Sequence, residues 1–114
     1  MIHITYRPDK YEITIKGHAN SDEKGKDIIC AAASMLFYTL AACLAKSPEG
    51  WFAEAPDMAD YLSEPERKGV SHIKCRPKSD FDITVLIMYQ TVVTGFEQLA
   101  ANYPDFVDLK ITQK

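Results

Sequence analysis

The segment from Ile28 to Ala45 restricts the possible folds of this chain more than any other. Isoleucine, alanine, methionine, leucine, phenylalanine and cysteine occupy most of its positions, and Ser47-Pro48-Glu49-Gly50 follows as a stop signal. This pattern predicts a helix with Asp27 as its N-cap that ends at about Lys46. Because a helix that is apolar on all sides has to be covered, we expect it at the centre of the molecule.

Alternating apolar residues predict strands on both sides of this helix. The runs Ile2–Tyr6 and Tyr11–Ile15 are separated by turn residues and form a β-hairpin pattern. A strand over Val70–Arg76, a second helix capped by Asp80 or Asp82, and a last strand at 107–111 follow. The second helix has apolar residues at three- and four-residue steps: Val85, Met88, Val92, Phe96, Leu99 and Tyr103.

The resulting order, β-β-α-β-β-α-β, predicts the fold class. We expect one α+β domain over residues 1–114, a two-layer fold whose two helices pack on one face of a mostly antiparallel sheet. Residues 47–66 hold six acids and no base, which predicts a solvated, irregular segment with a short edge strand around Met58–Leu62. Within that segment, Trp51 and Phe52 are expected to cover the core.

Composition limits the compartment and the partners. Thirteen basic against sixteen acidic residues give a net charge of −3, so no direct contact with nucleic acid is expected. The uninterrupted apolar run Ile28–Ala33 is far shorter than the ~18 residues of a membrane span, so no membrane partner is expected. Three scattered cysteines predict free thiols in a reducing cytoplasm. His72 and Cys75 are three apart on a predicted strand and face opposite ways, so they do not predict a metal site. No cofactor is expected either.

One region carries residues that a structural domain does not require. With Asp27 as N-cap, Cys30 falls in the first helical turn, where free amides and the helix dipole favour negative charge. His18 lies twelve residues earlier, in a polar loop over 18–26 that is flanked by Gly17 and contains Gly25, and we expect this loop to be mobile without substrate. A cysteine with a histidine is the minimum for nucleophilic acyl transfer. One turn after Cys30, Ser34 lies on the same helix face.

These residues resemble a known family. Gly-His-Ala at 17–19, eleven residues between His18 and the cysteine, and Asp-Ile-Ile-Cys-Ala-Ala-x-Ser at 27–34 are similar to the ribosomal-processing cysteine protease family (Prp). The resemblance implies a small cytoplasmic homodimer that removes the N-terminal extension of a large-subunit ribosomal protein after a Phe-Phe pair. It also implies that His18 and Cys30 form the catalytic pair, with Asp27 and Ser34 as polar neighbours.

Two other interpretations remain open at this level. A relative from a mobile element would use the same chemistry to trim phage structural proteins. A non-catalytic RNA- or ribosome-binding α+β module would instead use a basic patch around the loop, formed by Arg7, Lys16, Lys24 and Lys26.

Overall fold

The computed structural model describes residues 1–17, 26–59 and 70–112. Five strands form one sheet in the order β3-β4-β2-β1-β5, in which β1 and β5 are parallel and all other neighbours are antiparallel. The predicted two-layer α+β arrangement is confirmed. The elements, in chain order, are β1 (Ile2–Arg7), β2 (Glu12–Lys16), α1 (Lys26–Lys46), β3 (Phe52–Ala59), β4 (Val70–Pro77), α2 (Asp82–Asn102) and β5 (Val107–Ile111).

The strands separate apolar from polar side chains with a period of two. In β4, Ile73 and Cys75 are buried, while Lys74 between them is exposed. On the open face of the sheet, His72 Nε2 lies 2.8 Å from Glu12 Oε2. Partial burial acts to raise the pKa of Glu12, but His72 and neighbouring basic side chains outweigh it and lower that pKa. The helices therefore cover one face of the sheet, and the other face is polar.

Helix α1 is less buried than the sequence predicts. Its sheet-facing residues are buried, but Ile28 and Met35 on its outer face are 71% and 67% exposed. By length and mean hydropathy, 2.1 over an 18-residue window, the helix is also apolar enough to cross a membrane, a test that the core helix of a soluble protein passes as well. The expectation of a central helix covered on most sides is wrong, because a two-layer fold covers a helix only from the sheet and from its neighbour. The buried residues of α1 are Ile29, Ala33, Phe37, Leu40 and Leu44.

Neither helix begins at the predicted cap. Helix α1 begins at Lys26, so Asp27 lies in the first turn and is not the N-cap. Helix α2 begins at Asp82, directly after a 3-10 turn over Ser79–Phe81, and Phe81 is its N-cap without a side-chain hydrogen bond. Asp82 thus lies in the first turn of α2, where its negative charge interacts favourably with the helix dipole without capping the helix.

The second helix also differs from its predicted stripe. Tyr89 is fully buried although it lies outside that stripe, whereas Tyr103 is 42% exposed. Gly95 allows α1 and α2 to approach closely, because a Cβ built there would lie 2.6 Å from Leu36 Cδ2. The glycine that costs helix propensity therefore permits the helix–helix contact.

Strand β3 begins earlier and is longer than the predicted edge strand around Met58–Leu62. It spans Phe52–Ala59, with register shifts against β4 on both sides of Glu54. Residues 60–69 lie outside the described part of the chain. The register shifts in β3, together with Pro56 and the acidic residues Glu54 and Asp57, protect this exposed sheet edge from pairing with other chains. As expected, Phe52 is buried and Trp51 packs against the core.

A tyrosine cluster lies between the sheet and α2. The ring of Tyr6 stacks on that of Tyr89 with centroids 6.1 Å apart, and Tyr11 meets Tyr89 edge to face. The Tyr89 hydroxyl lies 3.5 Å from Cys75 Sγ. The Tyr6 hydroxyl is buried and has no hydrogen-bond partner within the described residues. Burial raises the pKa of Tyr6 to about 12.

We expect Tyr6→Phe to raise the free energy of unfolding by about 1 kcal/mol, because it removes a buried hydroxyl whose desolvation nothing offsets. Tyr89→Phe is the matched control and should lower the free energy of unfolding, because it removes the contact with Cys75. Since the folded pKa of Tyr6 is raised, the wild type should also lose stability as the pH rises from about 10 to about 12, more than Tyr6→Phe does. Denaturant titration gives the free energy of unfolding of the wild type and of both variants. Equal destabilisation by both variants would contradict the prediction.

Candidate active site

The N-terminal half of α1 lies at the end of the sheet where β1 and β5 begin. Ala32 and Met35 share a groove with Asn102 and Tyr103 at the C-terminal end of α2. From there the chain enters β5, and the Ile2 amide at the start of β1 donates to the Phe106 carbonyl. Strand β2 ends and β4 begins at this same end, since Lys16 is paired with Val70. The described residues Gly17 and Val70 therefore both lie at the end of the sheet that is beside the N-terminal half of α1.

Gly17 holds the chain where segment 18–25 begins. Its φ angle is +92°, in the region that favours glycine, and a Cβ built there would overlap the Met1 carbonyl oxygen. No other residue fits this position without moving the first strand. Gly25 and His18, together with the predicted mobility of the loop, lie outside the described residues. Lys26, which the sequence placed in the loop, belongs to α1.

Cys30 is the fifth residue of α1. Because the helix begins at Lys26, the cysteine directly follows the first turn, two positions farther into the helix than predicted. Its side chain is half-buried and packs against the core. The other two free cysteines have different surroundings, since Cys43 is exposed and Cys75 is buried. Burial raises the pKa of the Cys75 thiol, which keeps it protonated. Cys30 is thus the only one of the three that is both accessible and close to a helix N-terminus.

The flank of α1 that carries Cys30 faces away from α2. At 100° per residue, Cys30, Ser34, Ala41 and Ala45 lie within about 60° of one another around the helix axis. Leu36, on the opposite flank, packs against Gly95 of α2. Farther along the Cys30 flank, Ala41 and Ala45 form a groove with β3. The cysteine therefore lies at one end of a helix flank that borders the β3 side of the sheet.

Ser34 is half-buried, one turn after Cys30 on this flank. Other hydroxyl side chains of the helices donate to a carbonyl one turn earlier, for example Thr39 to Met35 at 2.6 Å and Thr94 to Gln90 at 2.8 Å. The Ser34 hydroxyl makes no such bond to any described residue. It is thus available to a group bound beside the cysteine.

The structure brings two of the predicted site residues, Cys30 and Ser34, to one helix flank with Gly17 at the base of the adjoining segment. It describes neither the position of His18 nor the side chain of Asp27. Sequence reasoning missed Ala41 and Ala45, although small residues eleven and fifteen positions after a candidate nucleophile mark the same helix flank.

As predicted, His72 and Cys75 lie on opposite faces of β4. Within the described ranges, no three His, Cys, Asp or Glu residues form a possible metal site.

Two residues of the predicted basic patch, Arg7 and Lys16, lie at opposite ends of the β1–β2 hairpin. Arg7 is bound to Glu12 at the hairpin end of the sheet, with Nη1 3.2 Å from Oε1. Lys16 is paired with His3 at the opposite end of the same two strands. Lys24 and the side chain of Lys26 lie outside the described residues. Arg7 is therefore separated from Lys16, and the rest of the patch stays a prediction.

Nearly the whole chain is similar in fold to solved structures. The protein described as the essential ribosomal processing protease Prp from Staphylococcus aureus, in complex with a covalently linked product peptide, has 24% sequence identity and a TM-score of 0.68, over 98% of this chain and 100% of that chain. The same protease with a substrate peptide has 22% identity and a TM-score of 0.68, over 97% of each chain. A Streptococcus mutans protein has 24% identity and a TM-score of 0.69, over 99% of this chain and 93% of that chain.

At this level of sequence identity, the structural similarities show that the fold is shared. The family is shown by comparison of the sequence with protein-family models. No curated protein matches the chain. The family model described as cysteine protease Prp, however, matches residues 1–108, which include every predicted site residue. The match favours a protease over the non-catalytic binding module. The chain belongs to the Prp family of cysteine proteases.

Proposed function

We propose that this protease acts in the cytoplasm as an endopeptidase that removes the N-terminal extension of a large-subunit ribosomal protein after a Phe-Phe pair. The observation that carries the proposal is the position of Cys30, half-buried just after the first turn of α1 in a chain of the Prp family. The S. aureus relative is described as a ribosomal processing protease, which supports the same class of substrate for this chain.

The proposed chemistry is acyl transfer through Cys30. The thiolate attacks the carbonyl carbon of the scissile bond, and the C–N bond breaks as the His18 imidazolium gives its proton to the leaving amine. The N-terminal fragment is then held as a thioester. Water attacks this thioester with neutral His18 as the base, which releases the carboxylate and restores the thiolate. No cofactor or metal is needed for either step.

The helix start supports this chemistry electrostatically. The free amides of the first turn of α1 lie directly N-terminal to Cys30, and we assign to them a part in binding negative charge at the site. The Ser34 hydroxyl, which bonds to no described residue, is placed to donate to the thiolate or to the bound peptide. Asp27, in the first turn, is assigned to the polar surroundings of the pair.

A thiol-labelling experiment tests the proposed nucleophile. If exposure alone set the rate, iodoacetamide would alkylate the exposed Cys43 before the half-buried Cys30. We expect the reverse order in the folded protein near neutral pH. An alkylating agent reacts with the thiolate, and the proposed mechanism has Cys30, not Cys43, as a thiolate beside His18. Mass spectrometry of proteolytic fragments gives the rate at each site. In His18→Ala, labelling of Cys30 should slow and that of Cys43 should not, whereas faster labelling of Cys43 in the wild type would contradict the assignment.

The outer face of the helix layer supports a homodimer. Ile28 and Met35 of α1 and Ile83 and Ile87 of α2 are between 55% and 72% exposed. A monomer rarely leaves so many large apolar side chains in water on one layer. A second copy of the chain, which presents the same face, would cover them around a two-fold axis.

We expect Met35→Glu to convert the dimer into a monomer, because an unpaired charge in an apolar interface is strongly unfavourable. Lys110→Glu, an exposed change on the open face of the sheet, is the control and should leave the mass unchanged. Sedimentation equilibrium measures both variants. A wild-type protein that sediments as a monomer would show that this face is not a dimer interface.

A further inference from the structure

A groove runs between the C-terminal half of α1 and the edge strand β3, outside the residues assigned to catalysis. Its volume of about 450 Å³ lies within the range of ligand pockets. Glu49 and Ser47 lie at its border, and nearly all of the remaining lining is apolar. That lining includes Ala41, Leu44, Ala45, Phe52, Pro56 and Met58.

The groove lies on the same flank of α1 as the proposed nucleophile. Ala41 is about 17 Å from Cys30 along the helix axis, and Ala45 about 22 Å, at 1.5 Å per residue. An extended peptide advances about 3.3 Å per residue. A peptide that lies along α1 with its scissile bond at Cys30 therefore reaches the groove with residues about five to seven positions away.

Small side chains line the groove on the α1 side, and a flexible side chain lines it on the β3 side. Alanines from α1 leave open space, and Met58 of β3 is 47% exposed. The charged residues of β3 are directed to the other face of the sheet, where Glu54 lies 3.5 Å from Arg76 and Asp57 is paired with Lys74. A flexible methionine beside alanines suits a large apolar side chain of variable shape.

We propose that this groove is a substrate subsite, which receives a bulky apolar side chain about five to seven residues N-terminal to the scissile bond. The proposal rests on the proposed function, in which an extension is removed. Such an enzyme must recognise the extension, because only the extension distinguishes the precursor from the mature product. The recognised residues therefore lie on the N-terminal side of the cleaved bond. Ala41, Ala45 and Met58 set the size of the accepted side chain.

Two peptides with a Phe-Phe pair before the cleaved bond test the subsite. The long peptide extends about eight residues N-terminal to that bond and has leucine at the positions that reach the groove, and the short peptide extends about three. We expect the wild type to cleave the long peptide with a kcat/KM about 10-fold or more above that of the short one, a factor that burial of one large side chain supplies. Most of the difference should lie in KM.

Ala45→Phe fills the groove from an exposed helix position, so the fold should tolerate it. For the long peptide, kcat/KM should fall about 10-fold in this variant, and for the short peptide it should not change. Lys110→Phe is the control, since it adds the same ring on the open face of the sheet, and it should change neither value.

Each result bears on one proposal. Equal kcat/KM for both peptides in the wild type, or equal losses for both in Ala45→Phe, would overturn the subsite and leave the protease function intact. Failure of the wild type to cleave either peptide would contradict the proposed Phe-Phe specificity. A peptide with alanine in place of the leucines should behave like the short peptide in every variant, which separates recognition of the side chain from recognition of length.

Discussion

Cys30→Ala is expected to abolish peptide cleavage and to leave the fold intact. The proposed reaction has no second nucleophile on this flank, because the other two cysteines lie elsewhere, Cys43 exposed and Cys75 buried beneath α2. The change removes one half-buried sulfur atom from a helix and introduces the residue with the highest helix propensity. The loss of stability should therefore not exceed about 1 kcal/mol. Product formation measured by mass spectrometry and a thermal unfolding curve check the two halves of the prediction.

Two further variants complete that experiment. Cys43→Ala, the matched control at an exposed thiol, should keep full activity. Ser34→Ala, one turn from the nucleophile, should slow turnover about 10-fold, the factor of about one lost hydrogen bond. If Cys30→Ala retained more than a few per cent of wild-type turnover, Cys30 would not be the nucleophile. A folded but inactive Ser34→Ala protein would instead make Ser34 an essential member of the site.

His18→Ala should reduce turnover nearly as much as Cys30→Ala, at least about 100-fold, because the leaving amine and the attacking water both depend on one imidazole. Combining the two changes should add little, since residues that act as one catalytic unit are not additive. Single-turnover measurements on the three variants test this.

The chain offers a matched control for the histidine. His3 lies on the open face of the sheet, with Nδ1 3.4 Å from Asp108 Oδ2, and is 56% exposed at its side chain. His3→Ala should leave turnover unchanged. If the His18→Ala, Cys30→Ala double variant were far less active than either single variant, then His18 would act independently of Cys30.

The limits of prediction are clearest at the helices. The length of α1 and its C-terminal end at Lys46 follow from local composition, and the structure agrees. The predicted caps at Asp27 and at Asp80 or Asp82 are wrong, because a start two residues earlier in α1 and a 3-10 turn before α2 move the boundaries without changing the pattern. The exposed outer face of α1 was also not predictable, since apolar residues all around a helix do not show which side is covered.

Strand β3 illustrates a second limit. Its acids and its proline predicted an irregular segment, but pairing with β4 makes Phe52–Ala59 a strand. The ion pair between Glu54 and Arg76 joins two residues that are far apart in the chain. Sequence patterns report a residue's own preference, and such a preference is overruled when a neighbouring strand supplies the missing hydrogen bonds.

The order of the elements, the buried faces of β1, β2 and β4, and the motif from Gly17 to Ser34 could be read from the sequence alone. All three depend on periodicity or spacing within one short segment. In contrast, the flank of α1 that carries Cys30 past the β3 side of the sheet is fixed by packing between segments that are distant in the chain. That choice depends on the close packing of Leu36 on Gly95, which turns the opposite flank of the helix toward α2. The groove at Ala41 and Ala45 exists for the same reason, because its second wall comes from a strand that the helix meets only in the folded protein.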